Sequence, residues 1–182
     1  MIVLASGSPR RGEILTNAGI GYVREVPPEV DETPAPGESP LDYVTRLARV
    51  KAEAIPAGGG RIVLGADTAV VIEGEILGKP ADRQDAMRML RQISGRRHEV
   101  MTGVCLRSER EQVVDSATTL VWFATLSEPE MEAYVASGEP MDKAGAYGIQ
   151  GLASKFVVRI EGCYFNVMGL PVALVYAHLR NF

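Results

Sequence analysis

Apolar residues in this chain fall into short continuous runs and helical stripes that take turns along its length. Ile2-Val3-Leu4-Ala5 is an apolar run closing on Ser6-Gly7, the pattern of a buried strand. Ser8 then stands where a helix would be capped, with Pro9 at its first position, Ile14, Leu15 and Ala18 on one face, and Gly19 past its end. Ser39-Pro40-Leu41-Asp42 has the form of a capping box and opens a second helix that runs to about Ile55. Ile62-Val63-Leu64 reads as a short strand bounded by Gly65, and Val70 to Leu77 as a hairpin turning at Glu73-Gly74. Asp82 starts a helix whose Ala86, Met89, Leu90 and Ile93 recur at helical spacing before Gly95. Val100, Thr102, Val104 and Leu106 alternate like a strand, with Gln112 to Thr125 as a long partner. Ser127-Glu128-Pro129-Glu130 caps a helix ending near Ser137-Gly138. A glycine-rich segment, a strand from Phe156 to Ile160 and a last helix from about Leu170 complete the chain. The mixture predicts an α/β or α+β fold, a mixed twisted sheet with flanking helices.

Composition narrows this picture. With 182 residues, 46% of them hydrophobic and 23% charged, the chain suits one globular domain over 1–182 and neither a fibre nor a disordered tail. The Pro27 to Pro40 stretch and Gly58-Gly59-Gly60 are too short to be domain linkers. Lys and Arg number 19 against 23 Asp and Glu, a net charge of -4, so no general positive field exists to hold a nucleic acid polymer or an anionic membrane. Any phosphate must be met by a local site. The first apolar run is too short for a signal peptide or a membrane span. Cys105 and Cys163, far apart in strand-like segments, read as buried small hydrophobes rather than metal ligands or a disulfide. A soluble cytoplasmic protein is expected.

Several residues break the patterns around them. Arg10 and Arg11 occupy the first turn of a helix, where the macrodipole disfavours cations. They are either solvated or, with the Ser6 and Ser8 hydroxyls and the N–H groups after Gly7, an anion site at a strand-turn-helix junction. The standard phosphate loops are absent. Gly7 and Gly12 do not make GxGxxG, and Gly74 to Lys79 is one residue short of a P-loop with Pro80 where Ser or Thr is required. Lys51 lies on the apolar stripe of Val44, Leu47, Ala48 and Ile55, so it either snorkels or meets a buried anion. Asp67, with Thr68 beside it, projects past the Ile62-Val63-Leu64 strand as a metal ligand, a general base or a turn cap. Lys79 adds a further cation. In the loop Glu29-Val30-Asp31-Glu32, a carboxylate could complete a hard-cation site with Asp67. Asp142 to Gly151 holds three glycines, an aromatic and an amide, so Tyr147 could stack on a flat ligand and Gln150 could read its edge. His98 and His178 have no ligand spacing and read as structural.

Taken together these segments resemble the Maf family of nucleotide pyrophosphatases. The matching stretches are Ala5 to Arg11, Ala48 to Ala52, Gly65 to Thr68, Leu77 to Pro80, Ser94-Gly95 with His98 to Gly103, Asp142 to Gly151 and Val167 to Pro171. They run in order over nearly the whole chain with no departure at the core motifs. The resemblance implies a fold related to the inosine-triphosphate pyrophosphatases, two lobes around a cleft, and a homodimer. It implies hydrolysis of a nucleoside triphosphate to the monophosphate and pyrophosphate with a divalent cation, Mg2+ or Mn2+. Arg10, Thr68 and Gln150 are similar to the specificity positions of members acting on dTTP and UTP, with modified pyrimidine nucleotides as further substrates and pool cleaning as the role. The same resemblance makes Asp67 the proton acceptor and a metal partner. Ser6, Arg11, Lys51 and Lys79 become phosphate contacts, and Glu32, ahead of Asp31, the second acidic metal partner. The alternatives are a 7-methyl-GTP pyrophosphatase of the same family and a non-catalytic nucleotide-binding regulator of cell division.

Overall fold

The computed structural model describes residues 1–182. Seven strands form one sheet: β1 (Ile2–Ala5), β2 (Tyr22–Glu25), β3 (Ile62–Ile72), β4 (Glu75–Leu77), β5 (Arg97–Arg107), β6 (Gln112–Phe123) and β7 (Val157–Glu161). Six helices accompany them: α1 (Pro9–Asn17), α2 (Pro40–Glu53), α3 (Arg83–Ile93), α4 (Glu128–Ala136), α5 (Tyr164–Val167) and α6 (Val172–Leu179). The strand order is β2-β1-β3-β5-β6-β7, with β4 paired to β3. β1 pairs in parallel with β2 and β3, whereas β4 and β7 pair antiparallel with β3 and β6, so the sheet is mixed as the sequence predicts.

The chain folds as two compact units. The first comprises Met1–Thr68, Thr102–Ala117 and Gly169–Phe182; the second comprises Ala69–Met101 and Thr118–Met168. In the first, Val3, Ala5, Ala48, Ala52, Val63 and Cys105 form a fully buried cluster between the strands and α2. Two glycines make that packing possible. A Cβ on Gly65 of β3 would lie 2.2 Å from the Ala48 carbonyl oxygen, and one on Gly103 of β5 would lie 2.3 Å from that of Val44, so α2 rests directly on backbone. In the second unit, α3 buries Ala86, Met89, Leu90 and Ile93, the stripe read from the sequence. The predicted hairpin turns at Glu73 and Gly74, both with positive φ, joining β3 to β4.

The structure departs from the sequence reading at four places. Gly65 does not end a strand: β3 continues for 11 residues to Ile72, which puts Asp67 in mid-strand. Ser8 occupies the N-cap of α1 without a side-chain capping bond, and Ala18 lies past the helix, exposed. Cys163 is half-buried at the N-cap of α5, outside any strand, while Cys105 is buried in β5. The sequence reading contains neither β2 nor α5.

Candidate active site

Strand alternation determines what meets Asp67. Gly65 and Asp67 are two residues apart on β3 and therefore point to one face, the face on which α2 lies. On α2, Lys51 stands one turn after the Ala48 that touches Gly65. The Lys51 Nζ accordingly reaches Asp67 Oδ1 at 2.6 Å and Glu32 Oε1 at 2.6 Å. The Lys51 side chain is only 13% exposed and that of Asp67 11%, so this lysine meets a buried anion and does not snorkel. Glu32 is delivered by the Pro-rich loop, which α2 holds down. Tyr43 donates to the Glu32 carbonyl at 2.9 Å, and Arg46 donates to the Glu38 carboxylate and to the Thr33 carbonyl. Asp31 turns away and accepts from the Thr33 N–H at 2.9 Å.

Burial pushes the Asp67 carboxyl above the usual carboxylate range, against the pull of Lys51 and Arg11. Burial likewise raises the Tyr43 hydroxyl to about 12, helped by the charges of Asp67 and Glu32. Two carboxylates gathered on one ammonium are hard oxygen donors that suit a hard divalent cation. No cluster of three or more His, Cys, Asp or Glu side chains stands ready to hold a metal ion. Asp67 and Glu32, oxygen donors both, could hold a hard cation such as magnesium or manganese together with phosphate oxygens and water.

Thr68, next along β3, belongs to the opposite face, where α1 brings Arg11. Arg11 is 8% exposed and donates to three protein acceptors: Nε to the Gly169 carbonyl at 2.8 Å, Nη1 to Ser6 Oγ at 3.0 Å and Nη2 to Thr68 Oγ1 at 3.2 Å. Burial lowers its pKa below the ordinary arginine value, with Asp67 opposing the shift and Arg10 adding to it. Thr68 Oγ1 also lies 2.9 Å from Thr102 Oγ1. Ser6 Oγ, besides receiving Arg11, accepts the Ser8 N–H at 3.1 Å, so one of the N–H groups expected to face an anion is already used within the loop. Arg10 is half-buried in the same turn of α1.

Arg24, Thr102 and Gly169 belong to this constellation, and the sequence reading assigned none of them a role. From β2, where it pairs with Leu4, Arg24 donates to the carbonyls of both Ser6 and Gly7 and so pins the loop after β1. Gly169 adopts φ 112, open to glycine alone, and turns its carbonyl to Arg11. Isolated polar residues of this kind carry no periodic signal; only their pairing across the fold reveals them.

The second unit holds the other two residues singled out. Lys79 and Gln150 are both exposed, and the Gly145 N–H donates to the Gly78 carbonyl at 3.0 Å, linking the segments that bear them. Tyr147, expected to stack on a ligand, is 5% exposed and buried edge-on against His98 and Phe123. His98 is 1% exposed within this packing, and His178 pairs with Asp115 at 2.8 Å. No helix is long and apolar enough to cross a membrane.

The dTTP/UTP pyrophosphatase of Syntrophomonas wolfei is 51% identical over 181 residues, covering 98% of this chain and 95% of that protein. That of Koribacter versatilis is 51% identical over 181 residues, covering 99% and 93%. Among solved structures, the Ham1 protein of Staphylococcus aureus shares the fold, with a TM-score of 0.54 at 14% identity over 99% of this chain and 98% of that one. The family model described as Maf-like protein matches residues 1–182, the whole chain, and the chain therefore belongs to the Maf-like protein family.

Proposed function

We propose that the protein hydrolyses dTTP and UTP, and modified pyrimidine triphosphates, to the monophosphate and pyrophosphate. One observation carries the reading: a buried carboxylate, Asp67, shares the Lys51 ammonium with Glu32 in a chain about half identical to dTTP/UTP pyrophosphatases. Asp67 and Glu32 would hold a divalent cation, which would supply neutralisation of charge on the phosphoryl oxygens. Asp67 orients the attacking water and accepts its proton, and a carboxyl raised by burial is a better base near neutral pH than an exposed aspartate. Lys51, Arg10 and Arg11 hold the triphosphate with the Ser6 loop, and Arg11, already bonded to Ser6 and Thr68, aligns both with the substrate. In the second unit, Lys79 contacts phosphate and Gln150 reads the base. The homodimer and a cytoplasmic location are part of the same proposal.

The test is pyrophosphate release from dTTP, UTP and 7-methyl-GTP with magnesium. Turnover of the two pyrimidine nucleotides and little of the third supports the reading. Preference for 7-methyl-GTP, or binding without turnover of any of the three, refutes it.

A further inference from the structure

Gln150 is an exposed amide inside the turn closed by the Gly151 N–H on the Gly148 carbonyl, and a long side chain in that position discriminates between bases only if its backbone is held still. The turn is held on both sides. Before Gln150, the Tyr147 hydroxyl lies 2.7 Å from His98 Nε2, and the Tyr147 ring packs edge-on against His98 and Phe123 with centroids 5.3 and 4.7 Å away. After it, the Glu139 carboxylate accepts the Leu152 N–H at 2.9 Å and the Tyr134 hydroxyl at 2.9 Å. That hydroxyl in turn accepts the Gly148 N–H at 3.3 Å. A Cβ on Gly151 would sit 2.4 Å from the Glu139 carboxylate oxygens, so the residue beside Gln150 must be glycine for the clamp to close.

The backbone leading in is strained. Gly145 and Ala146 are consecutive left-handed residues with φ 67 and φ 59, and Ala146 is fully buried. A non-glycine residue keeps that conformation only where its surroundings over-determine it. His98, 1% exposed and with Nδ1 lacking a partner, has no other polar task that its surroundings show.

From this geometry we infer that His98 and Glu139 are positioning residues for base selection, acting through Tyr147 and the Gly148–Leu152 backbone to fix where Gln150 points. The inference rests on the proposed reading of Gln150, and its test uses binding so that it can be separated from turnover. Wild type, Tyr147→Phe, Glu139→Ala and Glu139→Gln are titrated with α,β-methylene-UTP and with inorganic tripolyphosphate in the presence of magnesium. Tyr147→Phe and Glu139→Ala each weaken the UTP analogue about tenfold and leave tripolyphosphate within about twofold, the scale of one lost buried hydrogen bond. Glu139→Gln, which keeps an acceptor for Leu152, recovers most of the loss, and melting shows all four folded. Equal weakening of both ligands, no weakening of either, or a wild type that binds the analogue no tighter than tripolyphosphate overturns the inference. A wild type that binds the analogue through its base yet does not hydrolyse UTP overturns the proposed reaction and leaves the clamp standing.

Discussion

Arg11 shows how much of the site depends on one planar side chain. Its fork satisfies Gly169, Ser6 and Thr68 at once, a geometry that a single ammonium cannot copy. Arg11→Lys is expected to lower stability by about 2–3 kcal/mol, because polar partners of a buried charge are left unmade, and to cut kcat/KM at least about tenfold. Urea denaturation and steady-state kinetics on the same preparation check it. His98 gives a pH prediction. Burial holds its imidazole down to about 4, against 6.5 when unfolded, so between those values the unfolded chain takes up the proton more readily. His98 therefore costs no stability above pH 6.5, and stability drains away as the pH falls toward 4, by about 3 kcal/mol at the lower end. Denaturation at pH 7, 5.5 and 4.5 should show this slope in the wild type and its loss in His98→Phe.

At the level of elements, the close seat of α2 on β3 and β5 is what brings Lys51 to Asp67. Gly65→Ala would drive a methyl group into the Ala48 carbonyl and the Ala52 N–H. A loss of about 1–3 kcal/mol is expected as the helix lifts, with a matching fall in turnover because Lys51 rides on it. Thermal melts and kinetics decide this, and a neutral Gly65→Ala would mean that the close seat is unnecessary. Gly65 also marks where the sequence misleads. Read as punctuation, it cuts β3 short, although Thr68 to Ile72 is rich in β-branched residues and continues the strand. Helices with strong caps and stripes, α2 and α3, were legible because Ser39 and Asp82 bond the expected N–H groups. α5, four residues long, and β2, with Val23 exposed, carry no period to read. Lys51 can be singled out because it breaks the apolar stripe of α2, and Asp67 because it is a carboxylate following an apolar run, whereas Glu32 stands out from its acidic loop only through the family resemblance. The direction of Tyr147 is not legible in the sequence, because an aromatic beside glycines looks the same whether it packs inward on His98 or outward on a ligand.

For the whole molecule, a net charge of -4 around a few gathered cations selects a small anion over a polymer. Duplex DNA in excess phosphate is expected to leave UTP turnover unchanged within about twofold, whereas a nucleic-acid-binding surface would be competed. The central proposal is that Asp67 activates water beside a cation that it would share with Glu32. Its most direct test is pyrophosphate release from dTTP and UTP by Asp67→Asn, with α,β-methylene-UTP affinity measured alongside. The amide keeps the shape and loses both the proton-accepting charge and most of the metal-ligand strength. Turnover should fall at least about a hundredfold, in the range of a lost general base, with the analogue still bound. Turnover by Asp67→Asn at the wild-type rate would contradict the account.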